Sequence, residues 1–150
     1  MKRTPLKRGN KQLKKTPLKT KTKIKKVTKT PIGLLKRKLW TLFSLYIRQR
    51  DKNTCFTCGR IGEGSGIHAG HFISKAIGGI DLYFDEENVH AQCYNCNINL
   101  GGNQYEYSLR LGEKSKELYQ RKNKDFKKWT EEDYKKKIDY YKSLVANQST

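Results

Sequence analysis

The sequence predicts an α+β fold: a small metal-stapled core flanked by α-helices and preceded by a basic arm. Three observations carry that expectation. Two CxxC pairs, Cys55/Cys58 and Cys93/Cys96, bracket a turn-rich stretch that holds all three histidines, His68, His71 and His90. Segments on either side repeat apolar residues at helical spacing. Residues 1–29 have few apolar side chains and dense positive charge.

The arm comes first. Of a net charge of +19, residues 1–38 contribute sixteen Lys or Arg and no Asp or Glu, which leaves +3 for residues 39–150. The Thr4-Pro5-Leu6-Lys7 string echoes as Thr16-Pro17-Leu18-Lys19. Such a segment cannot bury enough apolar surface to fold alone, so residues 1–29 are expected to be a disordered arm. A basic arm attracts a polyanion, and nucleic acid is the leading partner. Its expected contacts are Lys2, Arg3, Lys7, Arg8, Lys14, Lys15, Lys25 and Lys26, with Lys75 and Arg110 from the folded part. A solubility tail and a ribosome or membrane-surface anchor are the bland alternatives.

Residues 30–150 read as one domain, with a helix over 31–50, a core over 54–102 and helices over 103–146. Thr30-Pro31 has the form of an N-cap followed by proline at the first helical position. Leu35, Leu39, Leu42, Phe43, Tyr46 and Ile47 then form one apolar stripe. In the core, Ile67 to Ile73 reads as a strand and Gly78-Gly79 as a turn or loop. Tyr83-Phe84 reads as the start of a second strand that ends near Gln92. A helix is expected from Cys96, capped by Asn97 and Asn99 and interrupted at Gly101-Gly102. Residues 103–122 read as helical with a break near Gly112. The last helix opens on Thr130-Glu131-Glu132-Asp133, a capping box with Asp in place of Glu, and Trp129 and Tyr134 are placed for a hydrophobic staple. Tyr134, Ile138, Tyr141 and Val145 give it an apolar stripe for the 31–50 helix.

Hydrophobic residues make up 35% of the chain, so the core is small and a structural metal would help it. Four thiolates at ~2.3 Å complete a closed tetrahedral shell, and their softness favours Zn²⁺. Disulfides or free thiols are the alternatives. No apolar run approaches ~18 residues and no apolar segment follows the basic N-terminus, so neither a membrane span nor a secretory signal is expected. A reducing cytoplasm is the expected compartment, and there paired cysteines read as metal ligands.

The segment between the pairs carries His71 in a strand, Asn88 across a loop, and Asn97 directly after the last cysteine. This order resembles the HNH, or ββα-metal, nucleases, in the branch with a terminal asparagine and a four-cysteine zinc, as in phage resolvases of the endonuclease VII type. More narrowly, His68-Ala69-Gly70-His71-Phe72, Asn88-x-His90-x-Gln92-Cys93, Cys96-Asn97 and Gly102-Asn103 with Tyr105 to Leu109 resemble the lambdoid phage NinG, or Rap, recombination proteins over roughly residues 40–145.

The resemblance implies a divalent-metal-dependent DNA endonuclease acting on branched recombination intermediates in the bacterial host cytoplasm. It implies His71 as general base, Asn97 as ligand of a catalytic Mg²⁺ or Mn²⁺, and Asn88 as the residue that fixes the hairpin. Many members carry Asp just before the base, where this chain has Gly70. His68 and His90 are the candidate substitute ligands, and Asp85, Glu86 or Glu87 folding back is a further alternative. Resolvases often act as dimers, and a homodimer is possible, although amphipathic helices are the only interface signature. A non-catalytic zinc-stabilised nucleic-acid binder and an RNA- or ribosome-associated zinc protein are the competing classes.

Overall fold

The computed structural model describes residues 30–122 and 128–147; the basic arm, with its expected contacts from Lys2 to Lys26, lies outside the described residues. Helix α1 (Pro31–Arg50) begins where Thr30 Oγ1 accepts from the Gly33 N–H at 3.2 Å. Pro31 sits in the first turn, where a missing N–H costs nothing. The helix ends at Asp51, and Lys52 and Asn53 turn the chain away in left-handed backbone, both at φ 51°. Helix α5 (Glu131–Asn147) starts with the reciprocal bonds of a capping box. The Thr130 N–H donates to Asp133 Oδ2 at 2.8 Å and the Asp133 N–H to Thr130 Oγ1 at 3.3 Å. Trp129 and Tyr134 form the staple, with ring centres 5.3 Å apart.

The main core is the seam between these two helices. Leu39, Phe43, Tyr46 and Ile47 of α1 bury against Tyr134, Ile138 and Tyr141 of α5, together with Phe84, Ala69 and Val89. Phe43 meets Tyr141 edge-on at 5.1 Å. Edge-to-face packing suits the ring quadrupoles.

Two short strands, β1 (Ile67–His71) and β2 (Val89–Cys93), pair antiparallel and lie on α1. The register places His68 opposite Gln92 and Gly70 opposite His90. Successive side chains alternate across a strand. Ala69, His71 and Val89 therefore face α1, and His68, Gly70, His90 and Gln92 take the opposite face. Arg50 and Asp51 tie the end of α1 to β2. The Arg50 guanidinium donates to Val89 O at 3.0 Å, and Asp51 Oδ2 accepts from the Ala91 N–H at 2.7 Å.

Three sequence expectations are corrected. The first strand stops at His71, two residues before Ile73. Gly78 and Gly79 make a turn but no separate loop: they lie inside α2 (Lys75–Tyr83), which non-helical Gly79 (φ 63°, ψ −159°) breaks into two pieces. Gly78 is buried there, and a Cβ on it would lie 2.8 Å from Leu82 Cβ, so the position leaves no room for a side chain. Tyr83 and Phe84 close α2 and do not open the second strand, which starts at Val89. Their rings gain more by stacking around Trp40 than by pairing in a two-stranded ribbon: Tyr83 lies 4.9 Å from Trp40, and Phe84 meets Phe43 edge-on at 5.7 Å.

After β2 the chain makes one wide π-helical turn, Asn95–Asn99, without a side-chain cap. Gly101 and Gly102 then adopt positive φ, at 56° and 91°. Helices α3 (Gln104–Leu111) and α4 (Glu113–Arg121) follow, separated by Gly112 at φ 58°. Tyr107 of α3 and Leu118 of α4 fill a second core with Phe72, Ile73 and Leu82. Among the described residues no helix is long and apolar enough to cross a membrane.

Candidate metal centre and active site

The four cysteines converge. Their sulfurs all lie within 4.8 Å of one another, and Cys58 Sγ is 3.8 Å from Cys93 Sγ. Sulfurs around a tetrahedral zinc at ~2.3 Å would stand ~3.8 Å apart. No disulfide joins them. The first pair sits on a tight knuckle, in which the Cys55 N–H donates to Arg60 O and the Gly59 N–H to Cys55 O, both at 2.8 Å. The second pair joins the end of β2 to the π turn. Burial opposes ionisation of Cys55, but hydrogen bonding from Thr57 and nearby backbone N–H groups outweighs it and lowers the thiol pKa. The cysteines are thus positioned to bind one metal ion, consistent with a structural zinc.

The cluster anchors the end of the hairpin, where Cys93 pairs with Ile67. Asn97, one residue past Cys96, reaches back to β1 and donates Nδ2–H to His68 Nδ1 at 3.0 Å. It therefore does not cap a helix, and neither does Asn99, which donates to Asn95 Oδ1 at 3.1 Å. The free end of Asn97 points at Gly70: a Cβ built on Gly70 would lie 3.1 Å from Asn97 Oδ1 and 2.1 Å from Gln92 Oε1. His90 stacks on Phe56 at 4.0 Å, and its Nδ1 lies 3.1 Å from the Tyr107 hydroxyl, which donates to Gly70 O at 3.1 Å. Burial first, and then the Arg50 charge, push His90 down to about 4.

His71 occupies the inner face of the hairpin. Its ring stacks on Trp40 of α1 at 5.3 Å and on Tyr83 of α2 at 4.8 Å. Its Nε2 lies 3.1 Å from Tyr83 O. A carbonyl only accepts, so Nε2 carries the proton and Nδ1 keeps a lone pair. Burial lowers the His71 pKa, against the opposing pull of the Tyr83 carbonyl. The result is a neutral imidazole of fixed tautomer.

Asn88 is buried and binds across the connection between the strands. Its Oδ1 accepts from the Ile73 N–H at 2.7 Å, and its Nδ2 donates to Ile73 O at 2.9 Å and Leu82 O at 2.8 Å. Those bonds hold the segment that carries Tyr83, and hence the acceptor that orients His71.

Two lysines crowd the same aromatic cluster. Lys36 and Lys75 lie 5.1 Å and 5.5 Å from the Tyr83 ring centre. Burial, and then the Lys75 charge, push Lys36 down to about 8. Among the described residues no carboxylate forms a salt bridge with either. Two adjoining cations without a counter-charge suit a phosphate group.

The family model described as "Bacteriophage Lambda NinG protein" matches residues 1–149. The chain belongs to the NinG family. Curated relatives named "Protein ninG" include those of Escherichia phage 933W, 33% identical over 94 residues (62% of this chain, 46% of that one), and of Salmonella phage P22, 33% identical over 95 residues (63% and 46%). The relative from Escherichia phage lambda is 29% identical over 130 residues, 83% of this chain and 62% of that one. The chain thus spans about half the length of the first two and under two thirds of the third. No solved structure matches it.

In this NinG-family chain, His68 and Asn97 meet on the outer face of the hairpin, and the four cysteines cluster at its end with Ile67 and Ala91. His71 stands on the inner face, and His90 is packed beneath Phe56 and Tyr107. Asp85, Glu86 and Glu87 do not fold back. Asp85 pairs with Arg121, Glu86 accepts from the hydroxyls of Tyr46 and Tyr141, each at 2.9 Å, and Glu87 pairs with Lys114 at 2.7 Å. Sequence reasoning missed Trp40, Lys36, Tyr107 and Gln92. Trp40 falls off the apolar stripe of α1, and Lys36 is one basic residue among many. Gln92 stands in the Asn88-x-His90-x-Gln92-Cys93 string, but its approach to Gly70 shows only once the strand register is read.

Proposed function

We propose that this NinG-family chain is a divalent-metal-dependent DNA endonuclease of the HNH type, acting on branched recombination intermediates such as Holliday junctions and D-loops. One observation carries the reading. At consecutive positions of β1, His71 is held as a neutral imidazole, and Gly70 faces the free amide oxygen of Asn97. Base and ligand thus flank the same strand, whose outer edge is unpaired among the described strands.

His71 lies on the inner face of β1 and Asn97 on the outer face, so a scissile phosphate would meet both only by straddling that free edge. His71 Nδ1 takes a proton from the attacking water, which suits an imidazole whose ordinary pKa is ~6.5. Water adds at phosphorus, and the 3′-oxygen leaves, giving 5′-phosphate and 3′-hydroxyl ends. Asn97 would hold a bound Mg²⁺ or Mn²⁺, which would supply Lewis-acid stabilisation of charge on the phosphate and the leaving oxygen. Lys36 and Lys75 neutralise a neighbouring phosphate, and the basic arm adds affinity independent of sequence. The preference for branched DNA rests on the family resemblance.

The test is cleavage of labelled Holliday junction, D-loop, duplex and single strand, with and without Mg²⁺. Junction and D-loop are expected to be cut only with the metal. His71→Ala and Asn97→Ala are each expected to lose ~100-fold or more. Equal cutting of all four substrates rejects structure selectivity. A fully active His71→Ala rejects the enzyme and leaves the second reading, a non-catalytic binder, which the missing carboxylate at Gly70 favours.

A further inference from the structure

Gln92 is fully buried, and its Oε1 has no hydrogen-bond partner. The other end of the same amide is well held: Nε2 donates to Gly102 O at 2.7 Å and to Thr57 Oγ1 at 3.3 Å. Because a carbonyl accepts only, this bond fixes which end of the amide is oxygen. A buried acceptor left alone is costly, so a stable fold supplies it with a partner. The orphaned oxygen points at the Gly70 Cα, where a Cβ would lie 2.1 Å from it and 3.1 Å from Asn97 Oδ1. Two amide oxygens from β2 and the π turn therefore converge on one face of β1.

We infer that Gln92 Oε1 and Asn97 Oδ1 together form a hard-cation site on the Gly70 face of β1. The inference rests on the nuclease reading and names its second ligand: a glutamine reaching across from β2, in place of an aspartate on β1. Amide oxygens suit Mg²⁺ or Mn²⁺ rather than a thiophilic ion. The glycine follows from the same geometry, because any side chain at position 70 would occupy the place of the Gln92 oxygen. His68 is a positioning residue. By accepting from Asn97 Nδ2, it turns Asn97 Oδ1 toward Gly70.

The site has an unusual charge balance. Both donors are neutral, Asp85, Glu86 and Glu87 are committed elsewhere, and the four thiolates beside Asn97 face their own metal site. With no anionic protein group in its shell, a divalent ion there gains its anionic ligand when a phosphodiester oxygen binds. Cation and DNA consequently bind with positive coupling, and each strengthens the other by the same factor.

The experiment uses the full-length, zinc-loaded chain, ¹⁵N-labelled and titrated with Mn²⁺ alone and then with Mn²⁺ plus a Holliday junction built with non-hydrolysable linkages. The side-chain amide signals of Gln92 and Asn97 are expected to broaden before those of the other Asn and Gln residues. Mn²⁺ affinity is expected to rise at least tenfold with the junction. Gln92→Met, which keeps the volume and removes the oxygen, is expected to lose at least tenfold in Mn²⁺ affinity while retaining zinc. A Gln92 signal that stays sharp at saturating Mn²⁺ overturns the site in the wild-type chain, whatever the variant does. Full Mn²⁺ affinity in a folded Gln92→Met overturns it as well. Broadening at Gln92 with no cleavage of unmodified junction keeps the cation site and rejects the nuclease. Cleavage with an unaffected Gln92 signal does the reverse.

Discussion

His71 Nε2 lies 3.1 Å from the carbonyl oxygen of Tyr83, and that contact decides which ring nitrogen is basic. The acceptor belongs to the last residue of α2, so the protonation state of a strand residue is set by the end of a helix twelve positions away.

The proposed base works only when neutral, and burial holds its pKa below the ordinary value. Cleavage is therefore expected to fall only at a pH below ~6.5 and to be flat from there to pH ~7. Trp40→Leu, which uncovers the ring, should move that limb upward. A pH–rate profile of kcat/KM checks both, and a wild-type limb above pH 7 would contradict the assignment.

Asn88→Ala removes three buried hydrogen bonds and leaves the Ile73 N–H and C=O without these partners, while Leu82 O keeps the Asp85 N–H at 3.4 Å. The expected loss of stability is roughly 3–5 kcal/mol, measured by urea denaturation of the zinc-loaded chain. A loss under about 1 kcal/mol would mean that the connection between the strands does not depend on this side chain.

At Gly70 the conflict is steric, because a methyl group would overlap Gln92 Oε1. Gly70→Ala is expected to cost roughly 1–3 kcal/mol, and part of that should return in the double variant with Gln92→Ala. Strict additivity of the two costs in a double-mutant cycle would exclude the contact.

Lys36 and Lys75 are expected to contribute to DNA binding as a pair. Replacing both with Ala should weaken binding to all sequences alike and reduce the slope of log affinity against log salt by ~2. The Lys36 pKa of about 8 in the free protein adds a pH signature. As pH rises through that value, Lys36 loses its charge and affinity should fall; Lys36→Arg should remove this dependence.

Removing the metal from the four cysteines should unfold the segment that they hold, because the site's binding energy is also folding energy. Chelation, followed by amide hydrogen exchange, is expected to abolish protection in β1 and β2. Protection that survives complete metal removal would count against a structural metal.

The sequence by itself determined what depends on neighbours in the chain. The Thr30-Pro31 start of α1, the Thr130/Asp133 box of α5 and both apolar stripes are contacts within a few positions, so spacing reveals them. The two CxxC pairs are local in the same sense, as each brings two thiolates together on one turn. Tyr83 and Phe84 misled because aromatic residues also favour strands, and only packing around Trp40 made them the end of a helix. The partnership of Gln92 with Gly70 and Asn97 was out of reach for a related reason. It requires a strand register and a turn geometry that bring three separate segments to one point, and only the tertiary fold sets both.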